Sequence, residues 1–181
     1  MLRSGLKLEK IDDSIYKTVS KLHIPRWKEF PSVDLYVDQL VSYLDTFLGK
    51  FFQEENVTNN KDNKIITKTM INNYVKHGIL DAPVKKKYNK IHVAKLFVIC
   101  TLKQVYSIND INELINLATK NFPIKRAYNT FCQELENSIF VIFSVNDYTF
   151  DKRLSQEQYI LKNVTQSIAN KLYVQKVFLK K

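Results

Sequence analysis

A mainly helical chain built around a winged helix-turn-helix, with additional helices on either side, is the fold class this sequence predicts. Three observations predict it. Glycine and proline are scarce, at 3 and 4 of 181 residues, so the turn-rich punctuation of an all-β chain is missing. Apolar residues recur at helical spacing in several long segments. Between Lys61 and Lys103 a short helix, a basic excursion containing proline and a long apolar helix follow one another in the order such a domain requires.

Taken in order, Ile11 to Leu22 sets Ile11, Ile15, Val19 and Leu22 on one helical face. His23 to Pro31, HIPRWKEFP, holds two prolines and the single tryptophan, which predicts an extended connector that packs Trp27 against the body. Ser32 is a candidate cap for a helix reaching Gln53, with Leu35, Leu40, Tyr43, Leu44, Phe47 and Leu48 as its core stripe. Glu54 to Lys64 is polar and asparagine-rich and reads as a loop. Thr67 or Thr69 then starts a short helix closed by Gly78, whose missing Cβ suits a left-handed cap. Ile79 to Tyr88 contains Pro83 and three consecutive lysines, too short for a helix and suited to a wing.

Asn89 is a good cap for a helix through Val105 that turns Val93, Leu96, Phe97, Cys100 and Leu102 inward. Ser107 with Asp110 resembles a capping box and opens Ile108 to Asn121. Pro123 suits the first turn of a helix to about Phe143. Val145 to Asp151 reads as a turn region, and Ser155 can cap a last helix bearing Ile160, Val164, Ile168, Leu172 and Val177. The expected organisation is an N-terminal helix and connector (1–31), a helix-turn-helix-like domain (32–121) and a C-terminal helical region (122–181).

Charge is unevenly spread. Lys61 to Lys103 holds ten lysines against two acids, Asp62 and Asp81, a net +8 out of the chain's formal +10. A basic patch on a helix-turn-helix candidate points to nucleic acid. No apolar run exceeds five residues, the length of Leu96 to Cys100 and too short to cross a bilayer, and MLRSGLKLEK has no uninterrupted apolar core after its cations. The expectation is a cytoplasmic protein with no membrane association. Cys100 and Cys132 lie far apart on predicted helices and read as buried thiols, and His23, His77 and His92 offer no ligand spacing, so no metal or cofactor is expected. No G-x-x-x-x-G-K, H-E-x-x-H or nucleophile elbow occurs, and the chain is not expected to be an enzyme.

The candidate contacts are these. Lys85, Lys86, Lys87 and Lys90 carry ammonium groups on flexible stems, suited to phosphate as point charges. Thr67, Lys68 and Thr69 start the short helix, where hydroxyls and backbone N–H groups can receive a phosphate. Asn72 and Asn73 are the residues able to pair with an adenine edge in a major groove, and Lys76 follows on the same helix. Tyr88 can offer its hydroxyl to phosphate while its ring packs inward, although for Tyr74 and Tyr88 the plainer reading is a core aromatic. All four arginines, Arg3, Arg26, Arg126 and Arg153, fall outside this segment. Grip on phosphate should therefore outweigh direct base reading, and about five neutralised phosphates give a salt slope near −4.5.

Two resemblances accompany these residues. Ile24-Pro25-Arg26-Trp27, Asp34-Leu35-Tyr36 with Asp38-Gln39, TKTMINNYVKH and PVKKKY together resemble an uncharacterised bacterial family catalogued as domain of unknown function 1836. More distantly, MINNYVKHGIL resembles the T-L-R-Y-Y-E-R-x-G-L-L segment of mercury-resistance-type (MerR) regulators. There Ile71 takes the Leu position, Tyr74 the second Tyr, Lys76 the second Arg and Gly78-Ile79-Leu80 the Gly-Leu-Leu. Lys86-Lys87-Tyr88-Asn89 is similar to that family's wing exit, R-R-Y-[ST]. Asn72 and Asn73 depart from the pattern, and the wing is short. The second resemblance implies a winged helix-turn-helix with double-stranded DNA as partner; a homodimer is expected, with the C-terminal helices as a dimerisation or sensing body. The expected function is a DNA-binding transcriptional regulator. The competing reading is a protein-interaction module that keeps the winged-helix architecture without binding DNA.

Overall fold

The computed structural model describes residues 13–52, 64–144 and 154–179. In chain order its helices are α1 (Asp13–Ser20), α2 (Val37–Phe52), α3 (Lys68–Lys76), α4 (Lys90–Leu102), α5 (Ile108–Asn121), α6 (Ile124–Phe143) and α7 (Gln156–Tyr173). The last continues into a π-helical turn, Val174–Phe178. Two short strands, β1 (Leu35–Tyr36) and β2 (Lys87–Tyr88), pair antiparallel with Leu35 opposite Tyr88 and Tyr36 opposite Lys87. Among the described residues no helix is long and apolar enough to cross a membrane.

Helix α4 organises the rest because it is apolar on every side. Val93, Ala94, Leu96, Phe97, Ile99, Cys100 and Leu102 are all buried, and such a helix needs neighbours all round it. α2, α5 and α6 supply them. Phe30, from the connector, joins Tyr43 of α2, Phe97 of α4 and Tyr128 of α6, with ring centroids 5.0 to 6.3 Å apart. The buried cluster thus draws on all three expected segments, from Ile24 to Leu172.

The connector is held by polar contacts as well. Arg26 faces Glu136 of α6 with both guanidinium nitrogens, and the Ile24 amide donates to the same carboxylate at 2.6 Å. The Tyr128 hydroxyl donates to the Pro25 carbonyl at 2.7 Å, and the Trp27 amide donates to Asn129 at 2.9 Å. Trp27 begins a short 3-10 turn and leans on Phe30. α6 and α7 run in the same direction. The Ser138 and Thr165 hydroxyls are 2.9 Å apart, and further along both helices Phe143 meets Tyr173 ring to ring.

Most expected caps are present. Asn89, Ser107 and Ser155 all close capping boxes, and Pro123 precedes α6. Two boundaries differ from expectation. Ser32 does not cap α2: Leu35 and Tyr36 are spent on β1, and Gln39 instead accepts the Tyr36 amide at 2.9 Å. α4 stops at Leu102, three residues before Val105. The loop expected at Glu54–Lys64 lies outside the described residues apart from Lys64, and the turn expected at Val145–Asp151 lies wholly outside them.

Candidate nucleic-acid interface

Helix α3 is fixed at both ends by local chemistry. Thr67 has extended backbone angles (φ −127°, ψ 160°), and its hydroxyl accepts the Met70 amide at 3.2 Å. At the far end the Gly78 amide donates to Val75 O and the Ile79 amide to Tyr74 O, the paired bonds of a Schellman cap. Gly78 takes φ +69°, which favours a residue without a Cβ. Ile71, fully buried, anchors the inner face, with Met70, Tyr74 and Val75 partly buried beside it. Lys68, Thr69, Asn72, Asn73 and Lys76 remain exposed, and their spacing of three, four and one places them on one outward face. Thr67 lies half-buried at its start.

The segment after Leu80 is a tight β-hairpin. Val84 and Lys87 exchange both backbone bonds, at 3.1 and 2.9 Å, around Lys85 and Lys86. Those two lysines have φ of +49° and +63°, the signature of a type I′ turn, a position that usually takes Asn-Gly. Holding L-residues there costs on the order of 1–2 kcal/mol each. β2 continues the hairpin into β1. Tyr88 turns inward, 4% exposed, and sets its ring edge-on against His92 at 5.3 Å. Tyr88 is therefore a core residue that places the hairpin against α4.

The candidate lysines are not equivalent. Lys85, Lys86 and Lys87 are exposed, and Lys87 sets its ammonium 5.2 Å from the centre of the Tyr36 ring. Lys90 is half-buried with Nζ 3.5 Å from the Trp27 carbonyl, so it braces the connector more than it faces solvent. Lys68 pairs with Asp38 at 2.5 Å, both exposed. Among the described residues no ion pair to an acid involves Lys76, Lys85, Lys86 or Lys87. Asp81, the acid nearest in sequence to the hairpin, is taken by Lys95 of α4 at 2.8 Å.

Two residues that the sequence offers only as part of the family resemblance join these parts. Tyr36 pairs with Lys87 of the hairpin, and Asp38, two positions on, pairs with Lys68 at the start of α3. The β1–α2 junction thus brings the hairpin and the N-terminus of α3 to one edge of the molecule. Nothing in residue spacing signals it, since both meetings depend on tertiary pairing.

Burial governs the titration of both thiols and of His92. The Cys100 and Cys132 thiols are each pushed up to about 12 by desolvation, which leaves them protonated and inert. Burial lowers the pKa of His92, whose Nδ1 lies 3.1 Å from the Asn89 amide that it caps. Among the described residues no cluster of His, Cys, Asp or Glu is able to hold a metal ion.

A family model described as a domain of unknown function, DUF1836, matches residues 25–131. The chain belongs to this family. The DUF1836 match runs from the connector into α6 and so contains the whole α3 and hairpin surface, while α7 lies beyond it. A tRNA(Ile)-lysidine synthase of Mycoplasma mycoides subsp. mycoides SC is 31% identical over 150 residues. That alignment covers 71% of this chain and 36% of the synthase, so the chain spans about a third of that relative's length. No solved structure matches the chain.

Proposed function

We propose that this chain is a DNA-binding regulator whose α2, α3, hairpin and α4 form a MerR-like winged helix-turn-helix. α3 is the reading helix, and the hairpin at Lys85–Lys87 is the wing. One observation carries the reading. The exposed face of α3 and three exposed lysines in a strained turn are drawn to the same edge by Tyr36 and Asp38. Asn72 and Asn73 are exposed on that face, so groove entry is not blocked by α2.

Lysine supplies the charge and arginine is absent, which favours a grip on phosphate with limited reading of bases. Lys68, Lys76, Lys85, Lys86 and Lys87 are the cations that face outward, and about five phosphate contacts again give a salt slope near −4.5. We further propose a homodimer, which would present two such heads to a two-fold site, and a binding role with no catalysis.

The test is duplex DNA binding by the full chain and by a Lys85→Glu, Lys86→Glu, Lys87→Glu variant across several salt concentrations. Loss of affinity and a shallower slope in the variant are expected. Equal affinity of the two proteins, or binding by neither, overturns the reading. The relative's name says that it acts on tRNA, so tRNA is run as competitor. Displacement of the chain from duplex by tRNA at equal nucleotide concentration would favour RNA as the natural partner.

A further inference from the structure

Helices α4, α5, α6 and α7 enclose a cavity of about 210 Å³ that opens to solvent on one side. Its floor is made of buried carbon: Ala94 and Leu102 of α4, Tyr128 and Phe131 of α6, and Val164 of α7. The polar atoms near that floor are already satisfied elsewhere. The Tyr128 hydroxyl donates to Pro25 O at 2.7 Å, and Thr119 Oγ1 donates to Ile115 O at 2.8 Å. An apolar space of about 150 Å³ is enough to hold benzene, so this one takes a larger apolar body.

The mouth is different in kind. Arg126, Phe122 and Glu157 are exposed there, and Lys95 reaches the cavity from α4 with its side chain 20% exposed. The Arg126 guanidinium lies 4.7 Å from the centre of the Phe122 ring, which holds it at the α5–α6 turn. Glu157 Oε2 is held 2.9 Å from the Ser155 hydroxyl at the start of α7. Arg126 and Lys95 thus line the cavity together with one acid, Glu157, which already has a partner in Ser155. Lys95 is also the residue that holds Asp81, ahead of the hairpin.

We propose that this cavity is a binding site for an amphipathic carboxylate, with an alkyl or bicyclic body of about eight to ten carbons on the apolar floor. Arg126 and Lys95 receive the carboxylate at the mouth. A bound carboxylate competes with Asp81 for Lys95. The site stands whether or not the lysine face binds nucleic acid, and its test contains no nucleic acid, so the two readings fail separately.

Octanoate, octan-1-ol and octylammonium are titrated into the full chain by calorimetry. Saturable binding of octanoate is expected, with octylammonium about tenfold weaker or worse, because it brings the wrong charge to the two cations. Arg126→Gln should weaken octanoate several-fold, and Asp81→Asn should strengthen it by freeing Lys95. Ala118→Trp, a substitution at an exposed position on α5, should fill the cavity and abolish binding while circular dichroism stays unchanged and the melting temperature does not fall. Absence of saturable binding, equal binding of all three probes, or indifference to Ala118→Trp overturns the proposal. So does a concentration-dependent dimer that buries this face and that Ala118→Trp disrupts.

Discussion

Lys87 stands over Tyr36, its ammonium 5.2 Å from the ring centre, while the backbones of the two residues pair across β2 and β1. The aromatic ring that steadies this lysine belongs to the strand leading directly into α2, and α2 holds Lys68 of α3 through Asp38. Both residues of the pair are exposed, so the contact is worth about 0.5–1 kcal/mol. A double-mutant cycle of Tyr36→Ala and Lys87→Ala, followed by urea unfolding, should return a coupling of that size. Additive losses would show that the ring does not hold the lysine.

Lys85 and Lys86 occupy a turn that lysine does not favour, so stability and function should separate there. Lys85→Asn with Lys86→Gly suits the observed φ of +49° and +63° and should stabilise the chain by about 1 kcal/mol, less than the full relief because glycine also loosens the unfolded chain. On the proposed reading, the same variant, which removes two exposed cations, should also bind DNA more weakly. A variant that is no more stable than the parent would mean that the hairpin strain is absent in solution.

Arg26 and Glu136 join the connector to α6 with side chains 17% and 16% exposed. Fully exposed pairs contribute about 0–1 kcal/mol, and breaking fully buried ones costs about 3–5, so Arg26→Ala should cost about 2 kcal/mol. The guanidinium bonds the carboxylate through both nitrogens, and Nη1 also donates to Ile24 O. Lysine cannot copy that fork, so Arg26→Lys should rescue little of the loss in denaturant unfolding. Full rescue by lysine would reduce the contact to simple charge.

His92 is 4% exposed, and burial lowers its folded pKa below the ordinary histidine value of 6.5. Below 6.5 the unfolded chain takes up a proton that the folded chain refuses, so this residue opposes folding increasingly as pH falls from about 6.5 toward the folded pKa. Melting temperature should drop between pH 7.5 and 6, and His92→Gln should flatten that part of the profile. A parent profile as flat as the variant's would show that the ring is charged in the folded chain.

Much of the local structure was legible in the residues. Thr67, Asn89, Ser107 and Ser155 act at helix starts through side-chain bonds that span only two or three residues, and Gly78 closes α3 for an equally local reason. The apolar positions of α4 were also right, because a helix with no polar side has one place to go. Ser32 misled because Leu35 and Tyr36 were claimed by a strand whose partner lies some fifty residues on, a pairing that no local spacing encodes. Within the candidate interface, the lysines were visible by charge, but Lys90 and Tyr88 turned out to brace the fold, through the Trp27 carbonyl and the His92 ring.

By itself, then, the sequence determined where most helices start, which segment carries the positive charge, and the membership in DUF1836. Those properties depend on neighbours within a few residues or on composition. Only the tertiary structure decided that the hairpin and α3 share an edge, that Tyr36 and Asp38 link them, and that α4 to α7 enclose a cavity with cations at its mouth. Contacts between residues far apart in the chain depend on how the apolar faces pack around α4, and that packing exists only once the whole chain has folded.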